Sequence, residues 1–176
     1  MKQKTAVLVL MIVLMCSVAG ARDFGDYVIG KMAYAYPELV FNQAHGGILV
    51  FTAPQQQTVY CGIECSELKV SADSSGIIIS KLLTVRDKEE LDALDVLLVW
   101  CSGLQKSCGA PKSMVVDGRP VDDKKSFDKE LAAFFKNGEA LDLIYQGKSS
   151  ANIASLKRIV IDEVVSYDVS VFMANN

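Results

Sequence analysis

Hydrophobic and polar positions along this chain switch between two periods. From Asp23 to Tyr36 the apolar residues Phe24, Tyr27, Val28 and Met32 recur at three- and four-residue spacing. That pattern predicts an amphipathic N-terminal helix, with Asp23 capping its start and Pro37 stopping it. The period then shortens. Leu39 to Phe41 reads as extended, Asn42 to Gly47 as a turn carrying adjacent glycines, and Ile48 to Phe51 as a buried strand. Beyond a polar connection over 53–57, Thr58 to Tyr60, Leu68 to Ser71 and the β-branched run Ile77 to Val85 are strands, with a turn at Asp73 to Gly76.

The middle of the chain predicts a short helix opened by Asp87-Lys88-Glu89-Glu90, a variant capping box, and running through Leu94. Asp95 to Trp100 follows as a continuous apolar stretch, which predicts a strand buried on both faces that delivers Cys101 into a loop ending at Cys108. Ser113 to Val116 and Pro120-Val121 flank Asp117-Gly118, a hairpin signature. Helical period returns from Asp122 to Asn137: Phe127, Leu131, Phe134 and Phe135 lie on one face, Lys124, Lys125, Asp128 and Lys129 on the other, and Gly138 ends the element. Leu141 to Tyr145, Leu156 to Val165 and Tyr167 to Met173 complete the strands. The expected fold class is therefore α+β, strand-dominated, an antiparallel sheet or sandwich with an N-terminal helix and one amphipathic helix near 124–137. No repeat or linker divides the chain.

Composition changes this picture at the N-terminus. Residues 5 to 15 are an unbroken apolar run behind Lys2 and Lys4, and Ala19-Gly20-Ala21 is a small-x-small site. This is the layout of a signal peptide over 1–21, cleaved after Ala21, leaving a single secreted domain over 22–176 in a periplasm or extracellular space. Met15 ahead of Cys16 argues against lipidation, and no membrane span is expected in the mature chain. Taking Lys2 and Lys4 from the 18 basic residues leaves 16 against 21 acidic ones. That balance disfavours nucleic acid as a partner and suits a protein partner, a basic one being the easier to attract.

Four of the five cysteines, Cys61, Cys65, Cys101 and Cys108, follow the leader. In an oxidising compartment they predict two disulfides, the local pairs Cys61 with Cys65 and Cys101 with Cys108 being favoured by spacing and crossed pairs remaining open. Zinc spacing is met by the first pair and not the second. A thiol-redox or copper centre would use Cys61, Cys65 and His45, the only histidine, but neither a C-x-x-C nor the ligands of a binuclear copper motif occur. No triad setting, phosphate-binding glycine loop or defined carboxylate pair is present, and no cofactor is expected. The sequence thus leads to an exported, disulfide-stapled binding protein, such as an inhibitor, an immunity protein against a toxin or a component of an envelope assembly. Its expected contact residues are Ile63 in the first cysteine loop and Leu104, Gln105 and Lys106 in the second.

Overall fold

The computed structural model describes residues 21–53, 58–121, 127–147 and 150–175. Residues 1–20, which fall in the expected leader, the connection at 54–57 and the stretch 122–126, where the sequence pattern puts a helix start, lie outside the described residues. Two sheets carry most of the rest. The larger has nine strands in the order β2-β3-β6-β7-β12-β11-β10-β8-β9, every pairing antiparallel. Its first half is β2 (Val40–His45), β3 (Ile48–Ala53), β6 (Glu67–Ala72) and β7 (Ile78–Lys88); its second is β8 (Ser113–Val116), β9 (Arg119–Val121), β10 (Ala140–Gln146), β11 (Ser150–Ile161) and β12 (Val164–Asn175). The smaller sheet joins β1 (Arg22–Asp23), β4 (Thr58–Tyr60) and β5 (Ile63–Glu64). Helix α1 (Glu90–Cys108) lies across β7, β12, β11 and β10, and α2 (Phe127–Asn137) packs on β8 and β10. Strand dominance and the amphipathic second helix agree with the sequence pattern.

Alternation builds the core. On β7 the side chains of Lys81, Leu83 and Val85 face inward; on β12 Tyr167, Val169 and Val171; on β11 Asn152, Ala154 and Leu156. These meet Ala93, Val96, Leu97, Trp100 and Leu104 of α1, spaced three and four apart on one helix face. The turns fall at glycines and aspartates, although Asn42 to His45, expected to be part of a turn, belong to β2 and leave Gly46-Gly47 to make it. Gly46 and Gly47 take φ of 57° and 81° in the β2–β3 hairpin, and Asp117 and Gly118 take 50° and 74° between β8 and β9.

Four expectations are corrected. The segment from Asp23 to Tyr36 is not a helix: it holds two short 3-10 turns, Phe24–Asp26 and Ala33–Ala35, joined by a turn and a single bridge from Met32 to Ile77. Gly25 and Gly30 weaken helical order there, and the backbone bonds instead to the sheet, through Gly30 N to Ile78 O (2.8 Å), Ile78 N to Lys31 O (2.8 Å) and Ala33 N to Gly76 O (2.8 Å). Phe24, Tyr27 and Tyr36 are its buried anchors, and Arg22 pairs with Glu38 (2.7 Å) while lying over the Tyr27 and Tyr36 rings.

Second, Asp95 to Trp100 is helical, as is the whole stretch to Cys108. Leu91, Leu98 and Val99 are exposed on the outer face of α1, so the helical stripe is hidden inside a run that looks uniformly apolar. Asp87 belongs to β7, with φ of 55°, and the helix starts after Glu89 without a side-chain cap. Third, Cys61, Cys65, Cys101 and Cys108 are free thiols, and no disulfide joins them. Cys101 and Cys108 sit seven residues apart on one helix, where a rise of about 1.5 Å per residue separates their Cα atoms by roughly 10 Å, beyond disulfide reach. Fourth, the last hairpin turns at Asp162 and Glu163 rather than near Ser166, because two non-glycine residues at φ of 49° and 67° make the turn.

Candidate functional site: a cleft at the end of helix α1

Residues directly opposite one another in a sheet share a face. Following the register from strand to strand gives one lateral row on the covered face: Phe51, Val70, Lys81, Met173, Asn152 and Tyr145. The N-terminal segment roofs one end of this row and the last turn of α1 roofs the other. Between them lies a cleft of about 500 Å³. Lys81, Met173 and Asn152 form its floor, Gly25, Tyr27, Val28 and Ile29 one wall, and Ser107, Cys108, Gly147 and Ser150 the other.

Lys81 is the notable member. Its side chain occupies a core position of β7 and the residue is only 6% exposed. Nζ donates to Phe24 O (2.7 Å) and lies 4.2 Å from the centre of the Phe24 ring. Burial pushes the ammonium down to about 8, while the charges of Asp23 and Asp26 hold it up. No carboxylate forms an ion pair with it among the described residues. An ammonium of that pKa is still mostly charged at pH 7 and keeps donors unused by Phe24.

Opposite it stands a thiol held by an amide. Asn152, 4% exposed, donates from Nδ2 to Cys108 Sγ (3.0 Å) and to Ser150 Oγ (3.3 Å), and Ser107 Oγ lies 3.5 Å from the same sulfur. The other cysteines sit behind this wall. Trp100 Nε1 donates to Tyr60 O (3.2 Å), pinning the β4–β5 turn to α1, and the Cys61 sulfur rests on Gly103, where a Cβ would come within 2.6 Å. Burial pushes the Cys61, Cys65 and Cys101 thiols up, Cys65 to about 12. Tyr60 and Tyr145 are raised as well, first by burial and then by the neighbouring Cys61 and Cys101. Such thiols stay protonated, which lowers their reactivity.

The residues expected from the sequence fall in several places. Leu104 is fully buried against the sheet and unavailable to a partner. Ile63 is half-buried and packs on the core, whereas Gln105 and Lys106 are exposed on the outer face of α1. His45 is exposed in the β2–β3 hairpin, on the large sheet, while Cys61 and Cys65 flank β5 of the small one. Among the described residues no three His, Cys, Asp or Glu side chains are grouped to hold a metal. No helix there is long and apolar enough to cross a membrane. Comparison adds no assignment. No family model matches the chain, and neither a curated protein nor a solved structure is significantly similar to it.

Lys81 and Asn152 carried a signal in the sequence. Each stands in phase with core residues, Lys81 with Leu83 and Val85, Asn152 with Ala154 and Leu156. A polar side chain at an inward position of a strand has to be satisfied by something, and here Phe24 O takes Lys81 while Cys108 and Ser150 take Asn152, at the edge of the cleft.

Proposed function

We propose that this chain is an exported binding protein that takes the anionic head of a small, partly apolar ligand in the cleft over Lys81. The observation that carries the reading is the ammonium itself, buried at the floor of an open cleft with no carboxylate paired to it among the described residues. A cation in that setting costs folding free energy that an incoming carboxylate would offset. Val28, Ile29 and Met173 supply apolar wall, Asn152 and Ser107 supply polar groups for orientation, and the volume lies in the range of small-molecule sites. Export rests on the leader-like residues 1–21, and a periplasmic or extracellular setting follows from it. The inhibitor, immunity and envelope-assembly readings share the non-enzymatic character but rest on contact through two cysteine loops, of which the second is helix α1 with Leu104 buried.

A rival thiol-redox or copper role would use Cys61, Cys65 and His45, and it has less support, since burial raises both thiols and His45 lies on the other sheet. The test is a titration of the ¹⁵N-labelled protein with octanoate, and with octylamine as the cationic control. Octanoate is expected to shift the Lys81, Asn152 and Cys108 amides saturably, and Lys81→Met to abolish this. Equal response to both probes, or none to octanoate, removes the reading.

A further inference from the structure

Among the described residues, Cys108 is the thiol that lines the cleft over Lys81. Its sulfur is half-buried rather than sealed. Gly147 stands beside it without a side chain, where a Cβ would lie 3.8 Å from Sγ, and Ser107 donates its hydroxyl proton to Leu104 O (3.0 Å). What points at the sulfur is the Nδ2 donor of Asn152 (3.0 Å), on a residue 4% exposed. Met173 separates Asn152 from Lys81 in the lateral row, so amide and ammonium stand two strands apart, roughly 10 Å along the sheet. Lys81 is 6% exposed, lines the same cleft, and has no carboxylate paired to it among the described residues. A fixed cation at one side and a reachable thiol at the other select a short molecule that carries both an anion and a reactive sulfur. A soft metal ion, which Cys108 and Met173 suit as donors, would instead meet the charge of the ammonium directly opposite Met173.

We infer that Cys108 captures small anionic disulfides in this cleft, holding one half as a mixed disulfide whose anionic end lies toward Lys81. This capture rests on the anion-binding reading above and adds a covalent step to it. Cys108, as thiolate, attacks one sulfur of the incoming disulfide. The Sγ–S bond forms as the original S–S bond breaks, and the second half leaves with the bonding pair as a thiolate, which takes from solvent a proton matching the one Cys108 gave up. The disulfide is itself the oxidant: Cys108 is oxidised while the departing half is reduced to thiol. Asn152 supplies a donor that the attacking sulfur accepts. Cys101, on the same helix, is beyond bonding reach, so that thiol does not resolve the adduct, which lasts until an outside thiol attacks it.

The test uses protein purified from expression of the full chain, reduced and then freed of reductant. It is treated separately with dithiodipropionate, anionic at both ends, and with cystamine, a cationic disulfide of similar length, and peptide mass spectrometry follows each cysteine. Relative to Cys61 as internal reference, Cys108 is expected to favour the anionic reagent over the cationic one by about tenfold. Lys81→Met should remove that preference at Cys108 and leave the rates at Cys61 as they were. Circular dichroism verifies that the variant folds, and the wild-type ratio is a reading free of mutation. A Cys108 that reacts equally with both reagents, a Cys108 that dithiodipropionate leaves unmodified, or a preference that survives Lys81→Met would each overturn the inference. Octanoate keeps the two readings apart. Saturable octanoate shifts with an indifferent Cys108 remove the capture alone, whereas silence toward octanoate together with an indifferent Cys108 removes both.

Discussion

Lys81 occupies a position where the phase of β7 asks for an apolar side chain, and its titration carries the cost of that placement. In the folded protein burial brings it to about 8, against 10.5 in the open chain. Below pH 8 both forms are protonated and the buried charge counts fully against folding. Between about 8 and 10.5 the unfolded chain holds the proton that the folded one releases, so stability rises with pH across that window. The rise is opposed by Tyr27 and Cys65, both pushed by burial to about 12, whose unfolded forms ionise first as pH increases. Subtracting Lys81→Met from the wild type isolates the lysine: urea unfolding should show the wild type gaining up to about 3 kcal/mol on the variant between pH 8 and 10.5. A difference that stays level would mean the ammonium is not buried. Asp117 works by the opposite sign. Its carboxylate takes the amides of Ala140 (2.9 Å) and Glu139 (2.8 Å) and is held below the usual range by them. That contribution is complete above the open-chain value and is lost as pH falls through the lower folded one. Asp117→Ala should cost about 1–2 kcal/mol in thermal unfolding, and Asp117→Asn, which keeps the acceptor and tolerates the positive φ, should cost less and lose the acid dependence.

Helices α1 and α2 differ in how openly the sequence wrote them. In α2 the apolar stripe at Leu131, Phe134 and Phe135 stands against a charged face, so its period is visible residue by residue, and Gly138 N closes it on Phe134 O (2.7 Å). A Cβ at Gly138 would lie 2.8 Å from Phe134 Cα, a backbone atom that cannot step aside. Gly138→Ala should therefore destabilise by about 1–3 kcal/mol, read as a melting point lowered by several degrees, and an unchanged melting point would show that the junction can relax. In α1 the inward residues Val96, Leu97 and Trp100 alternate with exposed Leu98 and Val99, and both periods were buried in one apolar run. The strand reading failed there because apolarity, without a polar face, does not choose between helix and strand. The same ambiguity misplaced the cysteine loop, and with it Leu104 as a contact residue. The N-terminal segment failed for another reason: spacing suggested a helix, but its backbone bonds to β7, a tertiary choice local pattern does not contain. Lys81 and Asn152 were legible as misfits to strand phase, although nothing local revealed that the register of three strands would set them on either side of Met173 in one row.

At the scale of the molecule, what replaces the expected staples is area. One core runs from Phe24 and Tyr27 to Trp100, Leu104 and Phe134, between the large sheet and the N-terminal segment, α1 and α2. A domain of this size buries enough apolar surface to fold without cross-links. The four thiols are consistent with that role as packing residues: Cys65 donates to Ile63 O (3.3 Å), Cys108 accepts from Asn152, and Cys61 fills the space above Gly103. Stability should accordingly be indifferent to reductant, with the same thermal midpoint in the presence and absence of dithiothreitol. Thiol titration gives the matching kinetic order. Exposed Cys61 should react first with a disulfide reagent, half-buried Cys101 and Cys108 more slowly, and Cys65 only when the protein is unfolded. A midpoint that falls on reduction, or fewer than these four reactive thiols after denaturation, would mean that the protein closes a bond between these sulfurs and that the cleft wall at Cys108 is held covalently rather than by Asn152.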